Sequence, residues 1–289
     1  MNRTNYFKHK IIRNFKYMKS DFRFYIAAVI ILAFFITAIF GPWISPHDPY
    51  ETDVRNRLQP PSLSHPAGTD NIGRDTLSRM IYAARPALYV AFGGLFISIL
   101  VGIILGTAAA YSGGIIDGII IFLFDVIRAF PPIVLILVLV AIVGPSLQSL
   151  IIILGVTIMP RYGRVVRAET LSVKEEEYVA VAKSMGASSV KIIIFHIIPN
   201  IFASVLVLAG MDVASMIMWE AGLSFLGLGV QPPLSSWGVM LQEGYQFIEN
   251  APMMLIAPSL AIVFTMMGFS LLAESLRNAL NPKSKNEES

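Results

Sequence analysis

The chain carries apolar runs that are too long and too free of charge to be the core of a water-soluble domain. Between Arg85 and Asp117 it runs 31 residues without a charged side chain, and Phe24–Ile44 adds another 21. A helix rises about 1.5 Å per residue, so about 20 apolar residues cross a hydrocarbon layer of about 30 Å. Inside lipid every backbone N–H and C=O needs an internal partner, which restricts spanning segments to helices and closed barrels. Runs of this length belong to helices. Only 14% of residues are charged, where a soluble domain has about 25%. The reading is an all-α membrane protein.

Six spans fit the pattern. The first, Phe24–Ile44, exceeds the about 7–15 apolar residues of a signal peptide and is read as an uncleaved anchor ending at Gly41-Pro42. Pro86–Ile116 is too long for one helix, and Tyr111-Ser112-Gly113-Gly114 supplies its turn. The third span covers Ile119–Val143, and the fourth runs from the Gly144-Pro145-Ser146 break to about Pro160. Ile201–Leu223 and Pro252–Ala273 complete the set. Within the Ser45–Ala84 loop, Leu77, Met80, Ile81 and Ala84 recur at helical spacing and predict a separate short helix along the membrane surface. The resulting organisation is a basic tail (1–23), a first span with its loop (24–84), a core (85–275) interrupted by a polar interlude (161–200), and a second tail (276–289).

Lys and Arg sort by side. Both tails and the 161–200 interlude hold sixteen of them, while the opposite loops hold five, all between Arg55 and Arg85. That asymmetry predicts both termini and the interlude in the cytoplasm. It also explains the pI near 9.1 as a topological signal and excludes nucleic acid as the partner; membrane lipid is the partner instead. With no cysteine, disulfides and thiolate metal sites are excluded. No G-x-x-x-x-G-K-[ST] loop occurs, so the chain has no cradle for ATP phosphates, and no cofactor of its own is expected.

The interlude is patterned. Tyr178, Val181, Ala182 and Met185 form the apolar stripe of a short helix. Gly186 ends it, since glycine takes a left-handed backbone without steric cost. Ser188 or Ser189 caps a second helix with an apolar face of Val190, Ile193, Ile194 and Ile197, closed by Pro199. Glu175-Glu176-Glu177 suits a helix N-terminus. His196 has no His or Cys neighbour in sequence, so no metal site is expected.

Charges inside spans are costly and mark candidates for function. Asp125 and Arg128, three residues apart, are placed to neutralise each other. Asp212, Met216 and Glu220 recur every four residues on the fifth span. Asp125, Arg128, Asp212 and Met216 are the candidates for a substrate pathway. Gly102 and Gly106 make a G-x-x-x-G pair for close helix packing. No nucleophile–base set lies within the spans, so no catalytic residue is assigned. Charged spans also fit an ion-coupled carrier, but such carriers are built from repeats and none is visible.

The interlude resembles the cytoplasmic coupling loop of ABC-importer permeases, with Ala180-Val181-Ala182 at the Glu-Ala-Ala positions, Gly186 in place, and His196-Ile197-Ile198-Pro199 at the closing Ile-x-Leu-Pro. Gly68-Thr69-Asp70 with Gly73-Arg74-Asp75, then Leu77-Ser78-Arg79, is similar to the segment after the first span in oligopeptide/dipeptide/nickel permeases. Glu220-Ala221-Gly222-Leu223-Ser224-Phe225-Leu226-Gly227-Leu228-Gly229, continuing to Ser236-Trp237-Gly238, resembles the same group's segment after the fifth span. The order of elements resembles the C-type member of the permease pair. Ala83 and Pro86 depart from the Gly and Ser more usual there. The resemblance implies the type I importer permease fold, a second (B-type) permease, an extracellular solute-binding protein and two ATPase subunits that use ATP. It makes peptides the expected cargo, with nickel or another small solute as the alternative. It further implies that Tyr178, Val179, Ala180, Val181, Ala182, Lys183, Met185, Gly186 and Ala187 contact the ATPase.

Overall fold

The computed structural model describes residues 21–280, apart from the side chain of Leu280. The basic residues assigned to the tails lie outside the described residues, except Arg23 and Arg277. The described residues form helices and loops with no strand: α1 (Phe22–Ile44), α2 (Thr76–Ser112), α3 (Gly114–Ala129), α4 (Pro132–Val143), α5 (Leu147–Lys174), α6 (Glu177–Ser184), α7 (Ser189–Ile192), a π-helical stretch (Ile193–Ile197), α8 (Ile198–Phe225), α9 (Trp237–Gln246) and α10 (Met253–Leu280). By length and composition five helices among these can cross a membrane, or six if α3 and α4 form one bent span.

Contacts divide the chain into two units, one comprising the segments up to Leu88 and from Gly210 onward, the other Tyr89–Ala209. In the first, α1 packs along α10. Phe34 meets Phe269 edge to face at 5.8 Å, and Gly268 lets Ile30 approach so closely that a Cβ there would lie 2.7 Å away. Arg23 pairs with Glu274 at 2.8 Å. Pro42 does not end α1, which continues to Ile44. A proline has no N–H for the carbonyl four residues back. That carbonyl, on Ala38, instead accepts from Arg85 Nε at 2.9 Å, and Ile39 C=O accepts from Arg85 Nη2 at 3.0 Å.

The expected surface helix at Leu77–Ala84 is the beginning of the continuous 37-residue α2. Ile81 and Ala84 of its stripe are buried, so the stripe packs against protein.

In the second unit, α2 and α5 approach through small residues. A Cβ on Gly102 would sit 2.6 Å from Tyr162 Cβ, and one on Gly106 2.5 Å from Gly163 C=O. Ser98 Oγ donates to Gly155 C=O at 2.7 Å. The expected G-x-x-x-G pair is therefore a helix-packing contact. One span expectation and two proline expectations change. The third span is two helices bent by 92°. Phe130 and Pro131 are extended there, because a residue before proline avoids the α conformation. Pro160 lies within α5, which runs on to Lys174; membrane helices tolerate proline where neighbours compensate. Pro199 lies in the first turn of α8, and the wider π turn before it carries the chain past the ring. The second arm of the interlude is thus the root of a continuous helical rod, not a separate closed helix.

Candidate functional sites

In the second unit, α6 is suspended between α5 and the root of α8. Gly186, at φ +80°, takes the left-handed backbone its position requires. Gly186 N–H donates to Lys183 C=O at 3.0 Å and Ala187 N–H to Ala182 C=O at 3.1 Å, the paired bonds of a Schellman cap. Ser188 Oγ accepts from Lys191 N–H at 3.4 Å, fixing the start of α7. Tyr178 Oη accepts from Asn200 Nδ2 at 2.9 Å, and Asn200 also donates to His196 C=O at 2.5 Å. One side of α6 is thereby tied down, and Val179 is buried beneath it. The other side is open: Val181 is 57% and Met185 82% exposed. Ala180, Lys183 and Gly186 are also exposed, while Ala182 and Ala187 are half-buried. Tyr178 and Val179 hold the helix to its own unit and so differ from the outward residues with which they were grouped. On the second arm Ile192 and Ile197 are buried, five residues apart across the π turn, whereas Val190 and Ile194 are exposed.

The base of this segment is clamped by ion pairs and a cation–π contact. Arg167 makes a bidentate bond to Asp117 at 2.6 and 2.5 Å. Lys174 Nζ lies over the Tyr111 ring and donates to Ala110 C=O at 3.3 Å. Asp125 pairs with Arg164 of α5, not with Arg128 as its spacing implied. Arg128 is exposed on α3.

In the first unit the loop segment before α2 and the segment after α8 converge. Gly73, at φ +84°, lies so near Asp53 C=O that a Cβ would fall 1.8 Å from it. Asp70, buried, accepts from the N–H groups of Ile72 and Arg74, from Arg74 Nε at 2.6 Å and from Arg79 Nη1 at 2.5 Å. Arg79 reaches Glu243 of α9 at 2.6 Å and Ser235 at 3.2 Å. Trp237 Nε1 donates to Met80 C=O at 3.0 Å. Glu220 is fully buried and accepts from Ser224 Oγ at 2.7 Å; Ser224 Oγ in turn accepts Val230 N–H at 3.1 Å. Asp212 and Met216 are buried as well. His47, His65 and Asp75 gather within 4.8 Å, a grouping their sequence spacing does not announce. Each side chain there already has a protein partner: His65 Nδ1 bonds Asp75 Oδ1, Asp75 Oδ2 caps α2 at Ser78 N–H, and His47 Nε2 bonds Ser64 C=O.

Residues 74–286 match the model of the binding-protein-dependent transport system inner membrane component. The chain belongs to that family. Residues 15–61 match the N-terminal transmembrane domain of oligopeptide transport permease C. The permease is 40% identical over 271 residues to the dipeptide transport system permease DppC of Alkalihalophilus pseudofirmus, covering 94% of this chain and 89% of the relative. It is 37% identical to DppC of Bacillus subtilis, over 88% and 80% of the two chains. A glutathione transport permease, GsiD of Escherichia coli, is 38% identical over 90% and 86%. Its fold is that of the MetNI methionine ABC transporter in an inward-facing conformation, with TM-score 0.54 and 18% identity over 70% of this chain and 96% of that one. An amino acid ABC transporter superimposes with TM-score 0.53 and 17% identity, over 70% and 94%. The permease is thus a multi-pass inner-membrane component with the type I importer fold.

Proposed function

We propose that this permease and a second, B-type permease enclose the route by which di- and oligopeptides enter the cell. An extracellular solute-binding protein delivers the peptide, and two separate ATPase subunits drive the cycle. The observation that carries the coupling half of this reading is α6: a helix fixed on one side by Tyr178, Val179 and Asn200, and offering Val181 and Met185 to a partner. Large exposed apolar side chains on a fixed, capped helix suit a groove in another protein. Movement of that partner is transmitted because α6 is joined to α5 by only Glu175-Glu176 on one side and, through a capped Gly186, to the α7–α8 rod on the other. Peptide as cargo rests on the dipeptide and glutathione permeases among the relatives.

The Lys/Arg asymmetry supports a cytoplasmic side for both termini and α6. Asp125 and Arg128 are the pathway candidates. Asp212 and Met216, buried in this chain's own packing, act through helix positioning. Deleting this gene should abolish uptake of labelled Ala-Ala, and the intact copy should restore it. Unchanged uptake in the deletion strain contradicts the reading.

A further inference from the structure

We infer that Arg128 is a carboxylate-binding residue inside the translocation route, beside the break between α3 and α4. The inference rests on the peptide reading above and adds the group that is recognised.

α3 has two exposed stripes of opposite character. Ile116, Ile119, Leu123 and Val126 recur at helical spacing and are 50%, 63%, 44% and 41% exposed, a uniformly apolar face suited to lipid. Gly118, half-buried Ile121, Asp125 and Arg128 recur with the same spacing on a different face, and this one carries the two charges beyond the first turn. A buried edge, Ile120 and Phe124, completes the helix. Arg128 stands eleven residues beyond Asp117, whose bond to Arg167 marks the charged end of the unit. That distance is about 16 Å along the axis, near half of a hydrocarbon core of about 30 Å. A charge at such a depth faces protein or a wet cavity.

The break gives an independent reason. The last carbonyls of a helix have no partner within it. Non-helical backbone at membrane depth persists only where protein buries it or water reaches it. Phe130, Pro131, Pro132 and Ile133 are all exposed on this chain, so its own helices do not bury the bend. The charge-bearing stripe and the uncovered bend therefore open onto the same polar space. Within it Asp125 is already engaged by Arg164, whereas Arg128 has no ion pair among the described residues. A guanidinium presents paired donors that match a carboxylate, and every free peptide ends in one.

The chain has no cysteine, so single cysteines can be placed in the intact transporter in membranes. Arg128→Cys should react with a charged, membrane-impermeant methanethiosulfonate at least tenfold faster than Leu123→Cys on the apolar stripe. Ala-Ala should slow that reaction and Ala-Ala amide should not. A cationic reagent should restore Ala-Ala uptake by Arg128→Cys, and an anionic one should leave it lost. Arg128→Lys should keep at least half of the uptake that Arg128→Gln loses. Equal labelling at the two positions, or restoration by either sign of charge, overturns the inference. Labelling does not depend on the cargo: if the deletion strain still imports peptide, the peptide reading fails while the accessibility of position 128 is still measured.

Discussion

Arg79 and Asp70 meet at 2.5 Å with their side chains 3% and 1% exposed, fastening the first turn of α2 to the loop before it. Arg79 also reaches Glu243 of α9, so one guanidinium ties two distant segments of the first unit together. Removing one member of a buried pair strands the other charge and costs about 3–5 kcal/mol. Arg79→Met should destabilise the permease by about the lower figure of that range, since Asp70 keeps Arg74 and Glu243 is partly exposed to water. Thermal unfolding of the purified complex measures this. Glu243→Gln should cost clearly less, because Asp70 still compensates Arg79.

Gly186 tests the elbow between α6 and α7. A Cβ there meets nothing within 4 Å, so the cost of substitution lies in the left-handed backbone alone. Gly186→Val should impose about 1–2 kcal/mol of local strain and reduce peptide uptake. Gly186→Asn should retain most of it, as asparagine visits that region readily. Equal uptake by the two variants would show that the elbow's backbone is immaterial.

Gly163 leaves room for Phe124. A Cβ at Gly163 would lie 2.3 Å from Phe124 Cζ, and Phe124 is fully buried. Overpacking of this kind costs about 1–3 kcal/mol. Gly163→Ala should therefore lower the unfolding temperature, and adding Phe124→Leu should recover a substantial part of the loss. Failure of the second change to help would remove the contact as the cause.

Met185 and Val181 form the exposed edge of α6. Met185→Asp should leave expression and thermal stability of the permease unchanged while abolishing copurification of the ATPases. A loss of stability equal to the loss of ATPase would assign the residue to the permease's own packing.

Local rules read well in this sequence, and distant partnerships did not. Gly186 was legible because only backbone conformation sets its role, and Gly102 and Gly106 because their spacing puts both on one helix face. The Asp125–Arg164 pair was not, since helical spacing offers Asp125 only its neighbours, and Arg164 is 39 positions away. Prolines misled in both directions. Sequence pattern makes Pro199 and Pro160 helix ends, yet the helix runs on past Pro160, and a π turn carries the chain past Pro199. Pro131-Pro132, hidden in an apolar run, makes the 92° bend. The two loop signatures were visible as patterns, but their meeting through Arg79, Glu243 and Trp237 depends on tertiary structure.

The most direct measurement is reconstitution of the complex, purified through a tag on this permease, into liposomes with the binding protein on one face and ATP on the other. Accumulation of Ala-Ala should require ATP hydrolysis and should disappear in the Met185→Asp complex. Accumulation by the permease alone, driven by a proton gradient without ATP, would contradict a division of labour in which this chain forms the route and another supplies the work.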